Sequence, residues 1–296
     1  MKRNCLRLGE RRRSELGAAG LLANGPMVPL SARKAAIALI AVCACFSPQA
    51  VLANGEAAEP AGPPMTAERA GALIAQLTAE EIEDATAAAD ELAQAGDAAL
   101  PFVLKAAKAT NETLRQRIAG ILGRIDNPAA LGTLCEMLED ESDAVRREAI
   151  CAVGNQGQPE SAEKLEGFLL AKNPLLRLEA AMALGRIGGE SALPALRRSC
   201  LDDDHRVRKA AVVALALMGD GSAVPVLISR LRDENKMVRT LAHLVLKTMC
   251  DTDFGFDPDD EEEKRNEAVK LWETWWETYK KGDTGGNTRK EQENEK

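Results

Sequence analysis

Between residues 100 and 250 the apolar positions return every 31 residues. Val103, Leu134, Leu165, Leu196 and Leu227 form one column, and Leu122, Val153, Leu184, Leu215 and Leu246 form another. A polar marker runs in the same register: Arg115, Arg146, Arg177, Arg208 and Arg239, each preceded by Leu or Val. Within a unit, Leu114, Ile118, Ile121, Leu122 and Ile125 follow steps of four, three, one and three, which is one face of an α-helix. A fixed period of this length means that each unit is a supersecondary module that buries its apolar face against its neighbours.

Each unit therefore reads as helix, turn, helix. In the fourth, 192–200 is the first helix, Asp202-Asp203-Asp204 the turn and 206–218 the second helix, stopped at Gly219. Glycine recurs at Gly123, Gly154 and Gly185, with Ala216 next, and a small residue there lets helices cross closely. Upstream, Thr66 is the expected N-cap of a short helix, and a second follows over 80–95. This pair, 66–98, lacks the marker arginine and reads as an N-terminal cap, since terminal units have one face without a neighbour. Downstream, 251–281 reads as an acidic loop and a cap helix carrying Trp272, Trp275, Trp276 and Tyr279 on one side. Docked on the last unit, those rings seal the array; exposed, they bind a partner or a sugar. Residues 282–296 read as a disordered tail. The expected fold is an all-α, right-handed α-solenoid of about five 31-residue helical pairs, capped at both ends.

Composition changes the picture at the N-terminus. Arg33 and Lys34 precede an apolar run over 35–46 and the small-residue site Val51-Leu52-Ala53, as in a secretory signal. Met27 gives that signal a normal length and is read as the start. The leader is set at 1–53 and a flexible linker at 54–65. A lipoprotein signal at Val42-Cys43-Ala44-Cys45 is the alternative. The expected location is exported, periplasmic or cell envelope, with no membrane insertion after signal cleavage.

The full chain of 296 residues has a formal charge of −8, and residues 54–296 carry 30 basic and 44 acidic side chains, a net of −14. A surface that acidic argues against nucleic acid or anionic lipid as partner. Cys135, Cys151, Cys200 and Cys250 lie outside the leader and form no CxxC. They read as small buried hydrophobes, with a Cys135–Cys151 disulfide open in an oxidising compartment.

The repeat carries a family likeness. Residues 202–215 (DDDHRVRKAAVVAL) with 219–227, and the matching parts of 140–157 and 176–188, resemble the short HEAT-like repeat first noted in phycobilisome lyases. With its leader and tryptophan-bearing end, the chain is similar to exported bacterial HEAT-repeat proteins. The resemblance implies an acid–arginine ladder between units, with Asp140, Asp202 and Asp233 at the acidic position and Ala109 and Ala171 breaking it. It also implies that the second helices line the concave surface.

Candidate chemistry is sparse. The two histidines, His205 and His243, occupy different parts of their units and lack metal-ligand spacing. The paired His-Glu dipeptides of HEAT-like di-iron hydroxylases do not occur. Asp251, Asp253, Asp257, Asp259 and Glu262 have the offsets of a calcium loop, but Phe256 stands where that loop needs glycine. The bland reading is that Asp257 caps the last helix, with Pro258 in its first position. No cofactor and no catalysis are expected. The expected function is a protein-interaction scaffold, with a partner groove centred on Leu178, Met182, Lys209, Val213 and Leu244; alternatively these side chains pack between units. The competing class is a lyase-like enzyme subunit handling a chromophore or cofactor.

Overall fold

A computed structural model describes residues 65–79 and 81–293; the predicted leader and all but the last linker residue lie outside the described residues. Thr66 caps α1 (Ala67–Gln76) by accepting from the Arg69 amide at 3.2 Å, and α2 (Ile82–Gln94) follows. Five pairs come next: α3 (Leu100–Ala106) with α4 (Glu112–Leu122), α5 (Pro128–Met137) with α6 (Asp143–Gln156), and α7 (Ala162–Glu166) with α8 (Pro174–Ile187). Then stand α9 (Leu193–Ser199) with α10 (His205–Met218), and α11 (Val224–Arg230) with α12 (Lys236–Cys250). Helix α13 (Glu262–Glu293) closes the order and continues past residue 281, where the sequence predicts a tail. Among the described residues there is no strand.

Every second helix starts the same way. Asn111, Ser142, Asn173, Asp204 and Asn235 stand four residues before the marker arginines, and each side chain accepts from a backbone amide of the first turn at 2.8–3.1 Å. These caps satisfy donors that a helix start leaves without partners. Two of the second helices, α6 and α10, end on Gly157 and Gly219 in the left-handed conformation, at φ 64° and 67°, which glycine adopts without strain.

The core is one continuous cluster running from Leu73 in α1 to Trp272 in α13. Both columns read from the sequence lie in it and are buried: the Val103–Leu227 set on the first helices and the Leu122–Leu246 set on the second. Second helices of successive units pack directly on one another, whereas successive first helices touch little. Small residues explain the difference. A Cβ at Gly123, Gly154 or Gly185 would lie 2.6–2.8 Å from the Cβ of Ala152, Ala183 or Ala214 on the next second helix. The axes approach until backbone meets methyl group, and the array curves with α4, α6, α8, α10 and α12 on its inner side.

Candidate functional site: the concave face

The marker arginines belong to the edge of the solenoid. Arg115, Arg177 and Arg208 each hold the aspartate of the next unit, Asp140, Asp202 and Asp233, through two hydrogen bonds of 2.7–3.0 Å. The same guanidinium donates to two carbonyls of its own turn, for example Ala109 and Thr110 from Arg115. Bidentate bonding to Asp140 holds the Arg115 guanidinium above its ordinary pKa and the Asp140 carboxyl below its own. In the Arg208–Asp233 pair the side chains are 6% and 1% exposed. Removing one partner of so buried a pair costs about 3–5 kcal/mol. The ladder breaks at Ala171, where Arg146 finds no acid across the interface and turns to Asp143 and the Asp140 carbonyl. It ends at Arg239, which donates to the carbonyl of Pro258. These arginines staple units together.

The concave face is built from the side chains one, two, five and nine residues after each marker. Of the predicted groove residues, Leu178 and Lys209 are half-buried and Leu244 is 39% exposed. Met182 is 4% exposed and Val213 1%, which corrects their assignment to an open groove. The cause is the glycine column. With α6, α8 and α10 drawn so close, the fifth-position side chains fill the crevice between neighbours instead of standing above it. At the C-terminal end Ala216 replaces the glycine, α10 and α12 touch less than the second helices before them, and Leu244 stays accessible.

The N-terminal half of the face is polar. Glu148 on α6 reaches back over Gly120 of α4, where an added Cβ would stand 3.1 Å from its Oε1. Arg186 on α8 likewise reaches over Gly154, its Nη2 lying 3.5 Å from the Cys151 carbonyl and 3.9 Å from the Cys151 sulfur. Glu179 lies within the field of Arg186 and Arg147. Burial raises the pKa of Glu148 above its ordinary value; Arg147 and a Gln116 hydrogen bond only partly oppose it. Burial also raises Glu179, against Arg186 and Arg147. Cys151 is pushed up by burial, so its thiol is protonated and a weak nucleophile at neutral pH. The signal for this patch was the pair of glutamates two residues after Arg146 and Arg177, where other units carry arginine, alanine and leucine.

The remaining candidates fall to structural roles. Asp253 accepts from Lys247 at 2.7 Å, from the Gly255 amide at 3.0 Å, and stands 3.2 Å from His243 Nε2. Chiefly through Lys247, its pKa drops to about 2. Asp257 accepts from the Asp259 amide within a turn and does not cap the last helix, which starts only at Glu262. Asp259 pairs with Lys236 and Asp260 with Lys264. Among the described residues no three His, Cys, Asp or Glu side chains converge as metal ligands. His205 is exposed at the start of α10. Cys135, Cys151, Cys200 and Cys250 are free thiols, with Cys200 buried and its pKa pushed up to about 12. Trp272 is fully buried, edge-on to Phe254 at 4.9 Å, and Arg232 fastens α13 through Glu273 at 2.6 Å. The last unit is thereby covered. Trp275 and Trp276 remain half-exposed, and Tyr279 is exposed.

Stacked helical pairs with a closely packed inner row define an α-solenoid of the armadillo-like kind. A family model described as HEAT repeats matches residues 71–152, 133–216 and 202–254, together more than half of the chain, and the chain belongs to that family. Comparison with curated proteins gives no match. Among solved structures, the E. coli protein YibA is similar with a TM-score of 0.52 and 23% identity, over 60% of this chain and 69% of its own. The archaeal HEAT-like repeats protein from Thermococcus onnurineus NA1 gives 0.47 and 16%, over 72% and 99% of the two chains. The complex of CpcE and CpcF of phycocyanin lyase from Nostoc sp. PCC7120 gives 0.44 and 18%, over 74% and 99%. At these identities the likeness is one of fold.

Proposed function

We propose that this chain is a non-catalytic scaffold of the cell envelope that holds a protein partner along the concave face of its solenoid. The observation that carries the reading is Leu244. It is an apolar side chain 39% exposed in the inner row, one helix beyond the half-buried Lys209, while Met182, Val213 and Leu241 in the same row are closed. Apolar surface left open inside a curved array is the kind of surface that partners cover. Perturbed carboxylates in a cleft also mark catalytic sites, but here the neighbouring Cys151 thiol is pushed up by burial with Glu148 and Glu179 adding to the rise, which leaves it protonated and a weak nucleophile. Export rests on the leader-like residues 33–53. No described helix is long and apolar enough to cross a membrane.

The test is capture from an envelope fraction by residues 54–296, comparing wild type with Leu178→Asp/Leu244→Asp. Met182 and Val213 are unsuitable for the test, because their burial makes Asp there a folding lesion. The expected result is a partner retained by wild type and lost by a variant of unchanged helicity. Equal capture by both, or none by either, contradicts the reading.

A further inference from the structure

The concave face has a charge opposite to that of the rest of the molecule. Residues 54–296 carry a net −14, yet the inner face holds Arg147, Arg186 and Lys209 against Glu148 and Glu179, while Arg117 donates to the Leu77 carbonyl at the N-terminal end. Arg124, farther toward the N-terminus, is matched by Asp90 at 2.7 Å. The acidic excess therefore lies on the outer helices, the turns and the caps, and the groove is a cationic strip within it. A field of that shape admits a negatively charged segment to the groove and repels it elsewhere. The two glutamates sharpen the point. Burial raises the pKa of both, so each is held where its own charge is costly, beside the arginines a partner's carboxylates would seek. Past Lys209 on α10 the charge gives way to Thr240 and Leu244 on α12, so the strip has a polar and an apolar end.

Resting on the scaffold reading, we infer that the partner is a protein that lays an acidic segment followed by apolar side chains along this groove. Its carboxylates sit over Arg147 and Arg186 on α6 and α8, and its apolar residues sit over Leu244 on α12. Glu148 and Glu179 compete with the segment for the same guanidinium groups. They limit its affinity and reject segments that are acidic without the apolar end to compensate.

The experiment is fluorescence anisotropy on residues 54–296 with three short labelled peptides: Glu/Asp followed by Leu/Val, the same with Lys in place of the acids, and polyglutamate. The acidic–apolar peptide is expected to bind, and to bind at least about tenfold better than the basic one. Arg147→Glu/Lys209→Glu lowers that affinity by about tenfold or more, and Glu148→Gln raises it several-fold. Circular dichroism checks folding; Arg147→Gln, with a smaller loss, replaces the reversed pair if that pair unfolds. Preference for the basic peptide, equal binding of polyglutamate, no binding of the acidic–apolar peptide, or indifference to the Arg147 variants overturns the inference. The scaffold reading fails separately: a partner lost by Leu178→Asp/Leu244→Asp but kept by Arg147→Glu/Lys209→Glu leaves the scaffold standing and removes the acidic segment.

Discussion

Glu148 and Glu179 are the residues whose chemistry departs most from their neighbours. A carboxyl whose folded pKa lies above its unfolded value gives stability that is fully present below the unfolded value and lost as pH rises through the folded one. Both shifts have that sign, from an ordinary 4.5 upward, so the ionised groups weigh against the fold at neutral pH. Glu148→Gln/Glu179→Gln is therefore expected to raise Tm at pH 7 and to leave it unchanged below about pH 4. Thermal scans at the two values check this; a lower Tm at pH 7 would mark the glutamates as structural partners of Arg147 and Arg186. The sequence displayed these two glutamates openly, but burial and desolvation are properties of packing and cannot be read from spacing. The arginine ladder was different. The family resemblance implied it, and Arg115, Arg177 and Arg208 do meet Asp140, Asp202 and Asp233, with the gap at Ala171 where the aspartate is missing. The capping column at 111, 142, 173, 204 and 235 was equally periodic and was missed because its residue types vary among Asn, Ser and Asp.

At the scale of helices, the glycine column decides what the concave face can be. Gly154 in α6 has no room for a methyl group: its Cβ would stand 2.6 Å from the Ala183 Cβ and 2.7 Å from the Ala183 Cα. Alanine there gains about 1 kcal/mol of helix propensity. It loses about 1–3 kcal/mol to overpacking, because backbone on α8 cannot give way as a flexible side chain does. Gly132 on α5 has nothing within 4 Å of an added Cβ, so Gly132→Ala keeps the propensity gain. Opposite signs of ΔTm for Gly154→Ala and Gly132→Ala are expected in calorimetry; a stabilising Gly154→Ala would contradict the close-packed inner row. The same packing explains why the groove prediction divided. Helical periodicity correctly placed Met182, Val213 and Leu244 in one column. Whether that column is open depends on the distance between helices: Gly185, three residues after Met182, packs on Ala214 beside Val213 and closes both, whereas no glycine stands at 216 or 247 to draw α12 in beside Leu244.

For the whole molecule, the helical repeat and the burial of Trp272 over the last unit were legible because each unit repeats the same burial problem and the last one has to solve it without a neighbour. Trp272 solves it from α13, as its spacing from Trp275, Trp276 and Tyr279 foretold. Curvature and surface potential were not legible, since both sum small displacements and scattered charges over the array. Those two properties give an inner face that is cationic toward α6, apolar toward α12, and set in an acidic body. The central claim is that a protein partner lies on that face, and photocrosslinking in intact cells tests it most directly. A photoreactive residue is placed at Leu178, Leu244, or Glu163 on the exposed side of α7. Adducts of one size from positions 178 and 244, and none from 163, are the expected result. Adducts from 163 alone would move the partner to the outer helices and contradict the account.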